Sequence, residues 1–288
     1  MSDQITYAGI TDEAAPRLAD QVAALSALGW DTIELRSVDG VAIAELDDRA
    51  FGRLTEVLSA AGISVTCVDS RIANWGRPIS GRFEDDLDEL HVLAGRCAAL
   101  GTRNVRVMSY PNAGLDEPDW GRRVIARMRE LAAQAEDADL VLLHENCAGW
   151  AAHDPARMRR LVEEVGSPAL RLLFDTGNGI AHGYEAYDVL TGIVDLVAHV
   201  HVKDGRGDAA APVYTLPGEG DCRVADCLRL LLDHGYHGAL SIEPHLHVRP
   251  HENRTDPGPD GLTQFVSYGR RLERLVEESV LPPRRGGP

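Results

Sequence analysis

Short apolar segments rich in β-branched residues recur along the 288-residue chain, and polar, glycine-containing stretches separate them. Segments of this length and composition are typical of buried β-strands. The pattern predicts eight strands, at residues 5–10, 31–37, 64–71, 104–110, 139–146, 170–178, 196–204 and 239–247.

Stretches with helical spacing lie between these strands. In residues 17–29, for example, apolar side chains recur three or four positions apart at Leu18, Val22 and Leu25. Gly29 marks the predicted end of this helix. The same pattern predicts further helices in residues 54–62, 83–101, 120–137 and 227–235.

Eight alternating strand and helix units without a change in composition predict a single parallel α/β domain. A closed (β/α)₈ TIM barrel over residues 1–280 fits this number of units. The alternative is an open doubly wound sheet, which is disfavoured because no GxGxxG turn follows the first strand. Loops at 205–221 and 248–261 follow the carboxyl ends of strands and could act as lids. Residues 281–288 are predicted to form a disordered tail.

Composition narrows the classes of function. The chain has 29 Lys and Arg residues against 45 Asp and Glu residues, which gives a net charge of −16 at pH 7. Such a surface repels phosphate backbones, so no nucleic-acid partner is expected. The five cysteines are odd in number and include no CxxC pair, which predicts a reducing, cytoplasmic location. Neither a signal peptide nor a membrane span is recognisable, and a homo-oligomer is left open.

Four of the predicted strands end on a side chain that can bind a metal. They are Glu145 in VLLHEN, Asp175 in LLFDTGN, His201 in VAHVHVKD and Glu243 in LSIEPH. Each alone could cap a loop, form a turn or be a hydrogen-bonded core residue. Consecutive barrel strands open at one mouth, however, so the four side chains are predicted to meet at one ion. Three carboxylates and an imidazole suit Mn, Mg, Co or Zn.

Such a site suggests proton transfer next to a carbonyl. A divalent ion with four protein ligands keeps positions for substrate oxygens and acts as a Lewis acid, which stabilises an enediolate. Glu145 and Glu243 come from strands separated by two others, so they could flank the substrate on opposite faces. One carboxylate would remove a proton and the other would return one.

Lys203 is the only lysine in this arginine-rich chain. It lies two residues after His201, and alternate side chains of a strand face the same way. A compact ammonium with an adjustable pKa could stabilise developing oxygen charge or donate a proton, which arginine does less well. The alternative interpretation is that a single lysine survives by chance.

Four further side chains are predicted to bind substrate, because strand parity or strand-end position places them near the mouth. Glu34 lies on the second strand, Arg106 on the fourth, and Trp75 in the loop after the third. His245 shares parity with Glu243. Arg106 could bind a carboxylate or phosphate, Trp75 could form an apolar wall, and His245 could orient a ligand. Solvated or salt-bridged arginines and ordinary loop packing are the alternatives.

The motifs GITDE, HVHVKD, LPGEGD and SIEP resemble those of the xylose-isomerase-like barrels, a superfamily of sugar phosphate isomerases and epimerases, over nearly the whole chain. The resemblance implies a barrel, a divalent metal without an organic cofactor, and a ketose or cyclitol substrate. The ligand pattern of the superfamily carries over to Glu145, Asp175, His201 and Glu243. In its ketose epimerases the two glutamates also move the proton.

Two positions depart from branches of that superfamily. Asn178 stands where the DNA-repair branch and many ketose 3-epimerases have histidine, and the later DxH pair of the DNA-repair branch is not evident. Arg206 lies five residues beyond His201, one position short of the arginine in ketose 3-epimerases. Asn178 stands at a position that the resemblance marks, and Arg206 lies next to one, so the resemblance implies both as substrate-binding candidates.

The residues and the resemblance together predict a metal-dependent isomerase or epimerase acting on a small carbohydrate or cyclitol. One alternative is a metal-dependent dehydratase or lyase acting on a keto-sugar or keto-cyclitol, which would use the same frame. The other is a catalytically silent sugar-binding barrel.

Overall fold

The computed structural model of the chain describes residues 5–246, 248–249, 254–255 and 260–281. Most of the predicted lid at 248–261 and of the predicted tail at 281–288 lies outside these residues. An eight-stranded parallel sheet forms the centre of the described part.

All eight predicted strands are confirmed. They are β1 (Tyr7–Gly9), β2 (Thr32–Leu35), β3 (Ser64–Asp69), β4 (Asn104–Ser109), β5 (Val141–Gly149), β6 (Leu170–Asp175), β7 (Val197–Val202) and β8 (Leu240–Ile242). From β2 to β8 they pair in chain order, and β8 also pairs with β1. A parallel bridge between Ile10 and Glu34 joins β1 to β2 and closes the ring. This order confirms the (β/α)₈ barrel, because an open doubly wound sheet reverses its strand order.

Helices cover the outside of the barrel. They are α1 (Leu18–Leu28), α2 (Asp48–Ala61), α3 (Glu84–Leu100), α4 (Glu117–Asp137), α5 (Pro155–Val165), α6 (Asn178–His182), α7 (Ala186–Thr191), α8 (Val224–Asp233) and α9 (Gly261–Leu275). Helices α2 and α4 begin earlier than predicted, because Asp47 and Asp116 accept hydrogen bonds from amides of their first turns. Gly29 ends α1 as predicted, with a φ of 68° that suits glycine.

Shorter elements decorate the loops. The described residues include three 3₁₀ turns, at Thr11–Glu13, Ile43–Glu45 and Val194–Leu196, and a π turn at Val276–Val280. They also include three short antiparallel pairs, namely Ser37–Val38 with Val41–Ala42, Gly205–Arg206 with Val213–Tyr214, and Val248–Arg249 with Arg254–Thr255. In the described part of the chain, no helix is long and apolar enough to cross a bilayer. All five cysteines are free thiols.

The inside of the barrel changes from apolar to polar along its axis. Cys67, Leu143 and Leu173 form a small buried apolar cluster. Two residues further along β5 and β6 stand Glu145 and Asp175. Because alternate residues of a strand share a face, these carboxylates lie one layer nearer to the carboxyl ends of the strands. The layer beneath the mouth is thus apolar at β3, β5 and β6, whereas Glu34 and His199 make it polar at β2 and β7.

Candidate metal centre

The structure brings Glu145, Asp175, His201 and Glu243 together at the mouth of the barrel. One ligand atom of each lies within 4.8 Å of the others, and all four residues are buried. The strand register explains this arrangement, because Asp175 pairs directly with His201 across β6 and β7. Parallel strands in register present their carboxyl ends at similar heights, where barrel enzymes place their sites.

Three atoms of this cluster lack a hydrogen-bond partner among the described residues. They are His201 Nδ1, Asp175 Oδ2 and Glu243 Oε2, although the two oxygens make ion pairs with Lys203 Nζ. Buried polar atoms are rarely left in this state unless an ion or a water completes them. One imidazole nitrogen and three carboxylate oxygens fit Mn, Mg, Co or Zn. The residues present therefore fit a divalent cation.

The imidazole of His201 is oriented from below by Glu34. His201 Nε2 lies 3.0 Å from Glu34 Oε1, and His199 Nε2 lies 2.9 Å from Glu34 Oε2. Burial alone would lower the pKa of His201, but the charge of Glu34 and the nearby carboxylates of Glu145 and Glu243 raise it well above its ordinary value. A cation at Nδ1 would replace the proton held there. Glu34 is 0% exposed and its two oxygens contact these two imidazoles, so we interpret it as a residue that orients His201. A substrate-binding role for Glu34 stays a prediction.

Glu145 is held by an amide and a guanidinium. Its Oε1 accepts a hydrogen bond from Asn178 Nδ2 at 2.9 Å, and its Oε2 lies 3.4 Å from Arg106 Nη1. Arg106 Nη2 also lies 3.3 Å from Asp69 Oδ2. Burial alone would raise the pKa of Glu145, but contacts with His201 and Arg106 outweigh it and lower the pKa to about 2. Glu145 is therefore ionised at neutral pH.

Glu243 is contacted on both carboxylate oxygens. Its Oε1 lies 2.8 Å from Arg36 Nη1 and 3.2 Å from His245 Nε2. Its Oε2 lies 2.7 Å from Lys203 Nζ. Burial alone would raise the pKa of Glu243, but the ammonium of Lys203 outweighs it and holds the pKa well below its ordinary value. His245 stays neutral, because burial lowers its pKa to about 3.

Lys203 lies inside the cluster and is 1% exposed. Its Nζ donates a hydrogen bond to Asn178 Oδ1 at 3.0 Å and lies 3.1 Å from Asp175 Oδ2. Burial alone would lower the pKa of Lys203, but the carboxylates of Asp175 and Glu243 outweigh it and raise the pKa well above its ordinary value. The side chain is therefore a buried ammonium that balances two of the candidate ligands.

An acidic pair that we did not predict lies beside Glu243. Arg36 Nη2 is 2.8 Å from Asp12 Oδ1 and 3.1 Å from Glu13 Oε1. His245 N donates a hydrogen bond to Glu13 Oε2 at 2.6 Å. Burial raises the pKa of Glu13 to about 8, despite the charge of Arg36. The GITDE motif contains both acids, but nothing local in it indicates that they hold an arginine.

The remaining predicted substrate contacts divide into two groups. Asn178, Arg106 and His245 contact the two glutamates directly, as described above. Trp75, in the loop after β3, is 44% exposed. Arg206 is exposed on its short strand, and no ion pair joins it to a described residue of the cluster. A substrate-binding role therefore stays a prediction for all five residues.

Known proteins resemble this chain in sequence. Residues 22–264 match the model of the xylose isomerase-like TIM barrel family. The 2-epi-5-epi-valiolone 7-phosphate 2-epimerase of Actinoplanes sp. is 30% identical over 229 residues, which cover 75% of this chain and 78% of that protein. An inosose dehydratase of Clostridium perfringens is 26% identical over 144 residues, which cover 45% of this chain and 48% of that protein.

The fold is also shared with solved structures. The IOLI protein, whose structure is described with a zinc atom, matches with a TM-score of 0.74 at 15% identity and covers 96% of this chain and 99% of that one. At this identity the similarity concerns the fold alone. Because the family model matches most of the chain and the barrel is complete, the chain belongs to the xylose isomerase-like TIM barrel family.

Proposed function

We propose that the chain is a divalent-metal-dependent isomerase or epimerase that moves a proton on the carbon next to the carbonyl of a small ketose or keto-cyclitol. The observation that carries this proposal is the buried cluster, in which two ionised glutamates share one centre with Asp175 and His201. The similarity to an epimerase whose name denotes a cyclitol phosphate supports the reaction class.

Four residues would hold the cation, namely Glu145, Asp175, His201 and Glu243. When bound, a divalent ion would polarise the substrate carbonyl and acidify the neighbouring C–H bond. Mn, Mg, Co and Zn all suit this donor set. The proposal includes no organic cofactor, because side chains at the centre can carry the proton.

The two glutamates would carry out the proton transfer. Glu145 lies on β5 and Glu243 follows β8, with β6 and β7 between them, so they approach the substrate from different sides. One carboxylate would remove the proton to give an enediolate. Because both glutamates are ionised beforehand, the other would first take up a proton from solvent and then return it to carbon, and the removed proton would leave to solvent. Return to the opposite face of the same carbon gives an epimer, and return to the neighbouring carbon gives an aldose–ketose isomer.

Lys203 would stabilise the charge that develops on the substrate. Its ammonium contacts both Asp175 and Glu243, so positive charge already lies at the centre before the reaction begins. A group held in place in a buried site stabilises an oxyanion without reorganisation. Lys203 could also donate the proton that completes the reaction.

A dehydratase acting on a keto-sugar or keto-cyclitol is the second candidate, and the similarity to inosose dehydratase favours it. The same enediolate would then expel a β-hydroxyl group instead of being reprotonated. Loss of water produces a conjugated enone that absorbs ultraviolet light. Absorbance measured during turnover separates this reaction from epimerisation, which leaves the substrate mass unchanged.

The test is a substrate screen in deuterated water. Metal-stripped protein is reloaded with Mn, Co, Mg or Zn and incubated with ketoses and with inosose, and deuterium incorporation is followed by mass spectrometry. We expect incorporation next to the carbonyl in the metal-loaded protein only. Asp175→Asn should lose it, whereas the matched control Asp233→Asn, on the exposed face of α8, should keep it. A chain that binds none of these metals and catalyses no exchange would be a silent barrel, which overturns the proposal.

A further inference from the structure

The loop between β7 and α8 is tied to a single buried carboxylate. Asp204 lies just beyond β7 and is 1% exposed. Its Oδ1 accepts hydrogen bonds from Gly205 N at 2.8 Å and from Cys222 N at 3.3 Å. Its Oδ2 accepts from Gly218 N at 2.7 Å and from Gly220 N at 3.1 Å. One side chain therefore joins Gly205 to three amides between residues 218 and 222.

The glycines of the LPGEGD motif fit around this carboxylate. A Cβ at Gly220 would lie 2.2 Å from Asp204 Oδ1 and 2.4 Å from Gly205 O. Any larger residue at position 220 would have to displace one of these groups. The aspartate of HVHVKD and the glycines of LPGEGD are thus two halves of one structure, which we name the Asp204 clamp.

The Asp204 clamp holds the antiparallel pair that carries Tyr214. Within this pair, Gly205 lies opposite Tyr214. Thr215 N donates a hydrogen bond to the Asp204 carbonyl at 3.0 Å, and Asp221 N donates to the Gly205 carbonyl at 2.7 Å. Backbone and side-chain bonds thus fix the position of Tyr214 relative to β7.

Tyr214 lies next to the residues that surround Glu243. Its ring meets the His245 ring edge-on, with the centroids 4.9 Å apart, and His245 Nε2 lies 3.2 Å from Glu243 Oε1. Tyr214 therefore borders the mouth on the Glu243 side and is only half-buried.

The charges of the loop indicate what could approach Tyr214. Within residues 205–221, Asp208, Glu219 and Asp221 are exposed and Arg206 is the one cation, while Lys203 and Arg223 flank this segment. A segment with net negative charge disfavours a phosphate or carboxylate group, whereas it does not oppose a neutral polyol. A phenol suits such a ligand, because its ring packs against C–H bonds and its hydroxyl both donates and accepts hydrogen bonds.

We propose that Tyr214 contacts a neutral, hydroxyl-bearing part of the substrate on the Glu243 side, and that Asp204 is the positioning residue that holds it there. The metal centre beside it is that of the proposed function, on which this contact rests. Any phosphate or carboxylate of the substrate would then lie on another side of the mouth.

The contact is tested with myo-inositol and xylitol, polyols that lack a carbonyl and cannot react. Their affinity for the Mn-loaded protein is measured by titration calorimetry. Tyr214→Ala should weaken binding by roughly tenfold, and Tyr214→Phe should weaken it less, because only the hydroxyl is lost. Val213→Ala is the matched control, since Val213 is the adjacent residue, faces the other way and is 51% exposed.

Unchanged affinity in Tyr214→Ala overturns the contact, and so does a wild-type protein that binds Mn but neither polyol. Failure of the proposed function has a different signature, namely a wild-type protein that binds no divalent metal or catalyses no deuterium exchange. Polyol binding that depends on Tyr214 would support the contact even in a protein that binds Mn but catalyses no exchange.

The Asp204 clamp is tested separately by amide hydrogen exchange. Asp204→Asn replaces one acceptor oxygen with an NH₂ group that cannot accept a hydrogen bond. The amides of Gly218 and Gly220 should then exchange at least about tenfold faster, with polyol affinity reduced as in Tyr214→Ala and Mn affinity retained. Asp221→Asn, at an exposed carboxylate of the same loop, is the control. If the amides of Gly218 and Gly220 in Asp204→Asn exchange as slowly as in the wild type, or if polyol affinity is that of the wild type, the positioning role is ruled out.

Discussion

Glu34 and His201 meet across the inside of the barrel, with Glu34 Oε1 3.0 Å from His201 Nε2. Nδ1 of the same ring lies 3.8 Å from Glu145 Oε1 and 3.6 Å from Glu243 Oε2. A carboxylate at Nε2 keeps the proton on that nitrogen when a cation replaces the proton on Nδ1. The contact therefore turns the metal-binding edge of the imidazole towards the other three candidate ligands.

Glu34→Gln should weaken divalent-metal binding. The amide supports the imidazole less strongly, and loss of such an orienting partner costs about 10- to 100-fold in affinity. Mn affinity measured by calorimetry or electron paramagnetic resonance checks this. Glu56→Gln, on the exposed face of α2, is the matched control and should bind Mn as the wild type does. A Mn affinity in Glu34→Gln equal to that of the wild type would show that metal binding does not depend on the contact between Glu34 and His201.

Glu243→Gln should preserve the fold and abolish deuterium exchange into the substrate. The amide cannot accept a proton, and positioned acid–base catalysis contributes on the order of 10²- to 10⁴-fold. The exchange rates are compared at saturating Mn, so that weaker metal binding in the variant is not mistaken for slower proton transfer. Glu219→Gln, at an exposed loop carboxylate, should exchange normally. Exchange at the wild-type rate in Glu243→Gln would refute its role as a base.

Lys203→Arg should lower activity although it preserves the charge. The lysine is 1% exposed, so the larger, planar guanidinium would have to displace buried neighbours. We expect kcat to fall by roughly tenfold or more, which is about 1.4 kcal/mol of transition-state stabilisation.

Gly177→Ala should produce a similar defect by displacing the lysine stem, since the φ of Gly177 is −113° and allows alanine. The matched control is Gly52→Ala in α2, where a Cβ meets nothing within 4 Å. Wild-type kcat in Lys203→Arg would show that only the charge of this lysine matters.

The stability of the folded protein should fall at alkaline pH partly because of Cys97. Burial raises the pKa of its thiol from 9.0 to about 12. The folded state therefore keeps a proton that the unfolded chain releases, so the contribution is complete below pH 9 and is lost as the pH rises towards 12. Each such thiol lowers the free energy of unfolding by up to about 1.4 kcal/mol per pH unit.

Urea unfolding between pH 8 and pH 11 measures this effect, with both limits chosen to bracket the ordinary thiol pKa of about 8.5. Cys97→Ala should show a shallower alkaline decline than the wild type. Cys227→Ala is a useful parallel, because burial raises the pKa of that thiol to about 12 as well. If the free energy of unfolding of Cys97→Ala falls with pH as steeply as that of the wild type, other groups cause the loss of stability at alkaline pH.

The strands, most helices and the barrel could be predicted from local pattern. An apolar segment of strand length is buried whatever its neighbours are, and eight such segments alternating with helices have few other ways to pack. Glu145, Asp175, His201 and Glu243 stand where four such segments end. Once the barrel is assumed, its parallel strands carry these side chains to one mouth, so the candidate site follows from the same pattern.

The contacts that hold those side chains depend on closure of the ring. Arg36 meets Glu243 across 207 residues and Glu13 meets His245 across 232, because β1 pairs with β8 and brings the two ends of the chain together. Strand parity places Glu34 inside the barrel but says nothing of its depth. Barrel strands are tilted and staggered, so the layer that a residue occupies is set by the pairing of all eight strands and not by its own segment.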